Sequence, residues 1–224
     1  MICVHFYGYS LKAKTIPLSL FSKLLYLIII ICKTLYGKNF DKITKSEATL
    51  NIMKWAVIYS SVTGNTKKLA EAAAKGLNAD IFPVNNIPDL SSYDALFIGY
   101  WLRRGSPNEK TSAFLKTLTN KKVVFFQTHG AYVGSEHTVT AFARAGALLG
   151  EECTVLGTFS CQCAVSPAII KARKEGKIPG HKNDNLDDCL KRWKDAESHP
   201  DEKDLEAIQN FAQKMQIVAE RYIV

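Results

Sequence analysis

Apolar runs of strand length recur from residue 53 onward and alternate with stretches of helical period. The runs are "WAVIYS" (55–60), "DIFPV" (80–84), "ALFIGYW" (95–101), "VVFFQT" (123–128) and "CTVLGTFS" (153–160). Helical periods are found at 66–77, about 109–119, 136–149 and 201–220. Continuously apolar strands are typical of a sheet covered on both faces, and strand-helix alternation favours parallel strands. The pattern predicts an α/β fold: a doubly wound five-stranded parallel sheet with helices on both faces.

A polar segment at 164–200 interrupts this alternation before the last helix. It contains Pro167, Gly176, Pro179 and Gly180, residues that break regular structure. We therefore expect a long insertion with one or two short helices.

Residues 1–52 precede the first strand and contain the very apolar run "LLYLIIIIC" at 24–32. The run is short, because a membrane-spanning helix needs about 20 residues. Three interpretations stay open: an interfacial membrane anchor, an added packing element, or upstream sequence outside the working protein. The third is favoured because Met53-Lys54 directly precedes the first strand, so we predict that the domain covers 53–224.

The formal net charge of the chain is +8, with 29 basic against 21 acidic residues. Residues 1–52 hold seven lysines and only two acids, so the predicted domain carries the smaller excess of +3. No basic stripe is interleaved with aromatic residues, which argues against nucleic-acid binding. The six cysteines have the spacing of neither a disulfide framework nor a paired zinc motif, and we expect a cytoplasmic protein without a metal.

Ligands of open parallel sheets bind beyond the carboxyl ends of the strands. In this chain the predicted loops at those ends are rich in hydrogen-bond donors and aromatic rings. The first loop, "SSVTGNT" (60–66), lacks the lysine of a nucleoside-triphosphate loop and the glycine pattern of a dinucleotide loop. Backbone N–H groups and hydroxyls at a helix start suit a terminal phosphate, whereas helix capping alone would need fewer donors. Aromatic residues near 100 and 132 would flank a planar ring. Together these features indicate a mononucleotide ligand.

The loop "SSVTGNT" after a strand resembles the S/T-x-T-G-x-T phosphate loop of flavodoxins, whose cofactor is FMN. The resemblance covers Met53 to Val224. "GYWLRRG", "THGAY" and "CQCAVSP" resemble segments of a flavodoxin-like subfamily with a Cys-Gln-Gly loop after the fifth strand, although Cys163 stands in place of that glycine. The resemblance implies a strand order of 2-1-3-4-5 and noncovalent FMN.

The resemblance also implies the binding residues. The phosphate cradle is expected at Ser60, Ser61, Val62, Thr63, Gly64, Asn65 and Thr66. The isoalloxazine ring is expected between two loops that contain Tyr100, Trp101, Leu102, Arg103, Gly105, Thr128, His129, Gly130, Ala131 and Tyr132. A peptide at Gly105 or Gly130 would reorient on reduction, and Cys161 and Gln162 would complete the wall of the site. No catalytic residue is predicted, and His129 is interpreted as an ordinary loop histidine.

The expected function is electron transfer to a partner oxidoreductase, by a monomer or a homodimer. Two alternatives stay open, because fold alone does not choose between them. One is an FMN-dependent reductase or dehydrogenase acting directly on a quinone, a heme precursor or a tetrapyrrole. The other is a non-redox protein that binds a phosphate ligand.

Overall fold

The computed structural model describes residues 53–178 and 185–221, together with the backbone of two strands near the N-terminus. The chain divides into two compact units, Met1–Ile52 and Met53–Val224. In the first unit, strands β1 (Ile2–Phe6) and β2 (Tyr9–Ala13) form an antiparallel pair. The apolar run at 24–32 lies outside the described residues. Among the residues that are described, no helix is long and apolar enough to cross a membrane.

The second unit alternates strands and helices, as the sequence predicts. Its strands are β3 (Trp55–Tyr59), β4 (Asp80–Pro83), β5 (Ala95–Arg103), β6 (Ser106–Pro107), β7 (Lys122–His129) and β8 (Thr154–Gln162). Its helices are α1 (Asn65–Leu77), α2 (Glu109–Leu115), α3 (Glu136–Gly146), α4 (Pro167–Lys174), α5 (Leu186–Asp195) and α6 (Glu202–Arg221).

The sheet has the strand order β4-β3-β5-β7-β8, and all of these neighbours are parallel. Counted from β3, this is the order 2-1-3-4-5, so the predicted fold class and topology are confirmed. The short strand β6 pairs antiparallel with the last two residues of β5, which continue past the pairing with β7. Because the order reverses between β3 and β5, a crevice opens at their carboxyl ends.

Each face of the sheet builds its own core, because side chains alternate along the strands. Val57, Phe97 and Phe126 pack with the apolar residues of α1 and α6 on one face. On the other face, Ile58 and Ile98 belong to a cluster that also includes residues of α2 and α3. Both clusters are almost fully buried, so the sheet is a rigid platform for the loops at its carboxyl edge.

Helices α2 and α3 end at Leu115 and Gly146, a few residues earlier than predicted. After Leu115 the N–H groups of residues 117 and 118 bond three residues back, and those of residues 148 and 149 do the same after Gly146. Three-residue bonds are typical of tightened helix ends. The apolar period therefore continues through turns that are no longer α-helical.

The insertion contains two short helices, α4 and α5, within its described part. Ser166 caps α4 by accepting a hydrogen bond from the N–H of Ile169. Asn185 caps α5 by accepting one from the N–H of Asp188 at 2.8 Å. The prediction of one or two helices at 164–200 therefore agrees with the described part of the insertion.

A chain that begins at Met53 should fold with the stability of the full chain. We expect this because the sheet and both core clusters belong to the second unit. Denaturant unfolding of the two proteins, followed by circular dichroism, should give the same midpoint and the same slope. Loss of the cooperative transition on truncation would instead place residues 1–52 in the core.

Candidate functional site

The loop between β3 and α1, residues 60–64, leaves the start of α1 open. Gly64 is the N-cap residue at φ 94°, in the left-handed region, and no side chain of the described residues caps the helix. Its missing Cβ would meet nothing within 4 Å. The first N–H groups of a helix have no partner within the helix, so an uncapped start is suited to an anion. Helix capping therefore does not account for the hydroxyls of this loop.

The hydroxyls of the loop divide into engaged and free groups. Ser61 Oγ accepts a hydrogen bond from the N–H of Gly64 at 3.1 Å. Ser60 is buried, and its Oγ accepts from Asn108 Nδ2 at 2.9 Å. Thr63 is exposed, and its hydroxyl has no hydrogen-bond partner within the described residues. Thr63 is therefore the hydroxyl of this loop that is most available to a ligand.

Two residues tie the loop to neighbouring strand ends. Asn65 Nδ2 donates to the carbonyl oxygen of Ala164 at 2.9 Å, just beyond β8. Thr66 is only 2% exposed, and its hydroxyl lies 2.9 Å from that of Thr128 at the end of β7. These two side chains hold the loop in place, and neither lines the adjoining cavity described next.

A cavity of about 440 Å³ lies beside this loop at the carboxyl ends of β3, β4 and β5. Six residues that the sequence predicts for the site line it, namely Ser60, Ser61, Val62, Gly64, Trp101 and Arg103. Residues 128–132 and 161–162 do not line it. The cavity thus joins the loop between β3 and α1 to the end of β5, but it does not include the loop after β7.

Trp101 and Tyr100 are neighbours on β5 and point to opposite faces. Trp101 lines the cavity, and its indole Nε1 is buried without a hydrogen-bond partner in the described part of the chain. Tyr100 is fully buried in the second core cluster, with its ring 6.0 Å from that of Phe125 in an edge-to-face arrangement. Burial raises the pKa of the Tyr100 hydroxyl. The expectation that the Tyr100 ring flanks a ligand is therefore wrong, because strand alternation turns it into the core.

The turn after β5 is fixed by arginine side chains. Leu102 packs against the second core cluster rather than standing free. Arg103 donates to Glu109 Oε1 at 2.6 Å and is half exposed. Gly105 has φ 74°, and its carbonyl oxygen accepts from Arg144 Nη1 at 2.8 Å. A peptide flip at Gly105 would have to break that bond.

His129 ends β7 within a buried polar network. Its Nδ1 lies 3.0 Å from the carbonyl oxygen of Ala131, and its Nε2 lies 2.6 Å from Ser160 Oγ. Because a carbonyl only accepts, the proton is on Nδ1, and the Ser160 hydroxyl donates to Nε2. Burial lowers the pKa of His129 to about 4. His129 is neutral at pH 7 and holds the start of the following loop, which fits the interpretation as a structural loop histidine.

The loop after β7 is covered by α5 of the insertion. Arg192 Nε donates to the carbonyl oxygen of Gly130 at 3.2 Å, and the guanidinium lies 5.7 Å from the centre of the Tyr132 ring. A Cβ on Gly130 would come within 2.8 Å of Trp193. Gln162 Nε2 donates to the carbonyl oxygen of Arg192 at 3.2 Å. Gly130 and Gln162 thus serve the packing of α5, while the Tyr132 ring remains half exposed.

Cys161 and Cys163 lie side by side in the first core cluster, with their Sγ atoms 3.5 Å apart. The hydrogen bond with Cys163 and burial raise the pKa of the Cys161 thiol. A buried thiol with a raised pKa is a poor nucleophile. The two cysteines therefore pack the interior beneath the site instead of forming its wall.

Several residues of the cavity have no counterpart among the predicted ones. Asn108 is buried and braces Ser60, and its Oδ1 accepts from Thr111 at 2.9 Å. Lys67 and Lys110 also line the cavity, as do residues 83–85 at and after the end of β4. A polar residue just before a predicted helix was the available signal for Asn108, whereas the loop after β4 has no distinctive sequence pattern.

The fold and the phosphate-type loop define a flavodoxin-like protein, and sequence comparison agrees. Residues 56–213 match the family described as Flavodoxin domain. The flavodoxin-like domain-containing protein BilS of Clostridioides difficile (strain CD3) is 30% identical over 173 residues, which cover 75% of this chain and 98% of that protein. BilS of Clostridium symbiosum (strain WAL-14163) is 22% identical over 178 residues, covering 71% and 94%. The chain belongs to the flavodoxin domain family.

Among solved structures, the crystal structure of oxidised Flavodoxin 2 from Bacillus cereus is similar to this chain. It shares 19% sequence identity and has a TM-score of 0.44. The match covers 76% of this chain and 99% of that flavodoxin.

Proposed function

We propose that the protein binds FMN noncovalently and passes electrons to a partner oxidoreductase. The observation that carries this proposal is the uncapped start of α1, opening beside a cavity of about 440 Å³. A phosphate dianion satisfies free N–H groups and is favoured by the positive end of the helix dipole. The isoalloxazine ring of FMN supplies the one- and two-electron chemistry when it is bound.

The cavity fits such a ligand in size and in chemistry. Ligand pockets usually measure about 300–1,000 Å³ and combine flat apolar walls with a few polar groups. Trp101 supplies the flat wall, and its unpartnered Nε1–H is a donor that a carbonyl or ring nitrogen would satisfy. We propose that the phosphate lies at Ser61, Thr63 and Gly64, with the ring system against Trp101.

The surroundings of this cavity suit an electron-transfer protein better than an enzyme that acts directly on a substrate. The described residues of the insertion at 164–200 pack on the loop after β7 and contribute nothing to the cavity lining. Among the described residues, the side chains that line the cavity include no buried acid-base pair. Turnover of a quinone or a tetrapyrrole by the purified protein, with no partner present, would favour the enzymatic alternative.

Replacing Thr63 with valine should weaken FMN binding by about 1.5 kcal/mol, or roughly tenfold. The hydroxyl is exposed and unengaged within the described residues, so its loss removes a hydrogen bond to a charged phosphate without disturbing the fold. Quenching of FMN fluorescence on titration measures the dissociation constant.

The matched control is Thr119→Val, at an exposed threonine on the turn that precedes β7. It should leave FMN affinity unchanged. Equal affinities of wild type and Thr63→Val would argue against the phosphate position. A wild-type protein that binds inorganic phosphate but no flavin would favour the non-redox alternative.

A further inference from the structure

Basic side chains concentrate around the mouth of the cavity. Lys67, Arg103 and Lys110 line it, and Lys68 and Arg104 are their neighbours in sequence. We call these five residues the basic rim. Glu109 is the one carboxylate in segments 60–68 and 101–110. These two segments therefore carry an excess of positive charge.

Three of the five rim cations have no acidic partner in the part of the chain that the structure describes. Lys67 lies 3.7 Å from Glu71, and Arg103 pairs with Glu109. Among the described residues, no ion pair or hydrogen bond engages the side chains of Lys68, Arg104 and Lys110, and all three are exposed. Their charges therefore project a positive potential into solvent.

The placement of the two lysines on α1 is unfavourable for the helix itself. Both lie in the first turn, where the positive end of the dipole disfavours cations, and the turn has no acidic residue. Lys67 is offset by its ion pair with Glu71 one turn later, but helix stability gives no reason for Lys68. Val62 lies in the same loop and is 77% exposed, so it presents an apolar side chain to solvent near these charges.

We propose that the basic rim docks a redox partner whose own docking face is acidic. The inference rests on the proposed electron-transfer function, and it specifies that the partner's docking face is acidic. An acidic face would pair with Lys68, Arg104 and Lys110, cover Val62, and bring the partner's redox centre to the mouth of the cavity. Opposite charges on two such faces raise the rate of encounter and fix the orientation of the complex.

The structure favours a protein partner over a membrane surface. The cations lie on β5, on the turn after it and at the starts of α1 and α2, beside a concave opening, whereas an interfacial helix presents an apolar stripe beside its cations. Among the described residues, Val62 is the one large apolar side chain of the cavity lining that is prominently exposed. Insertion into lipid would require a larger apolar surface.

The test uses the full chain and cytochrome b5 as an acidic probe protein, with basic cytochrome c for comparison. Binding is measured by titration calorimetry at low and at near-physiological salt, with and without FMN. The rim variant is Lys68→Glu with Arg104→Glu, and neither residue lines the cavity. The matched control, Lys116→Glu with Lys214→Glu, has the same net charge and changes exposed lysines elsewhere.

We expect the wild type to bind cytochrome b5 at low salt and not cytochrome c. The rim variant should bind cytochrome b5 at least about tenfold more weakly, the control variant should change less than about threefold, and added salt should weaken the wild-type complex. Equal losses in both variants would mean that net charge alone acts, and would overturn the proposal.

Two further outcomes would also overturn it. The rim variant could lose FMN affinity while keeping cytochrome b5 binding, which would mean that the cations bind the phosphate of FMN and not a partner protein. The wild type could instead bind phosphatidylserine vesicles through the rim and ignore cytochrome b5. Binding to cytochrome b5 is read without flavin, so failure of the chain to bind FMN would refute the proposed function separately.

Discussion

Lowering the pH from 6.5 to 4 should cost the folded protein about 3 kcal/mol through His129 alone. The imidazole is neutral and buried, and its pKa in the folded state is lowered to about 4 by burial. An unfolded histidine titrates near 6.5, so between these values the unfolded chain binds more protons than the folded one. The stability that His129 contributes is therefore complete above pH 6.5 and is lost progressively as the pH falls toward 4.

The measurement is the free energy of unfolding in urea at half-unit pH steps, for wild type and His129→Gln. Glutamine can keep polar contacts with Ser160 and Ala131 but does not titrate. Carboxylates contribute to the pH dependence of both proteins, so the difference between the two curves isolates the histidine. That difference should shrink by about 3 kcal/mol between pH 6.5 and 4. A constant difference would show that His129 is already charged in the folded state, or that it is exposed.

Trp101→Ala should lower the affinity for oxidised FMN by about 1–3 kcal/mol, or roughly 5- to 150-fold. The side chain lines the cavity with its indole, so its removal takes away stacking area and opens one ring face to water. Water would stabilise the charged reduced forms relative to the neutral oxidised form, so the midpoint potentials should shift as well. Fluorescence titration gives the affinity, and potentiometric titration gives the potentials.

Two further variants separate the causes. Trp101→Phe keeps a flat ring but removes the unpartnered Nε1–H, so an intermediate loss would assign part of the affinity to a hydrogen bond. Trp193→Ala removes a tryptophan that packs near Gly130, outside the cavity lining, and should leave both properties close to wild type. Unchanged affinity and potential in a folded Trp101→Ala protein would mean that the ring does not lie at this wall.

The positions of the strands and of the phosphate-type loop could be read from the sequence because they depend on local patterns, whereas the strand order came from the resemblance to flavodoxins. Continuous apolar runs mark strands covered on both faces, and glycine with hydroxyls marks a tight turn into α1. The same alternation could have corrected Tyr100, because Trp101 next to it on one strand must face the other side. The sequence alone predicts both for the site, because an aromatic residue near a strand end suits either role.

Contacts between distant segments could not be predicted in this way. Arg192 reaches Gly130 across 62 residues of chain, and Asn65 reaches Ala164 across 99. No periodicity encodes such pairs, since they exist only after the insertion has packed against the sheet. The loop after β7 therefore looked available for a ring in the sequence, whereas in the structure its backbone is occupied by α5.

The bonds from Asn65 to Ala164 and from Thr66 to Thr128 tie the start of α1 to the ends of β8 and β7. A loop held in this way has little conformational entropy left to lose when an anion arrives, so more of the contact energy appears as affinity. The two hydrogen bonds also couple the motion of the loop to that of the two strand ends. A phosphate bound at Gly64 should therefore slow amide hydrogen exchange at Cys163 and Ala164, far along the chain from the residues that it contacts.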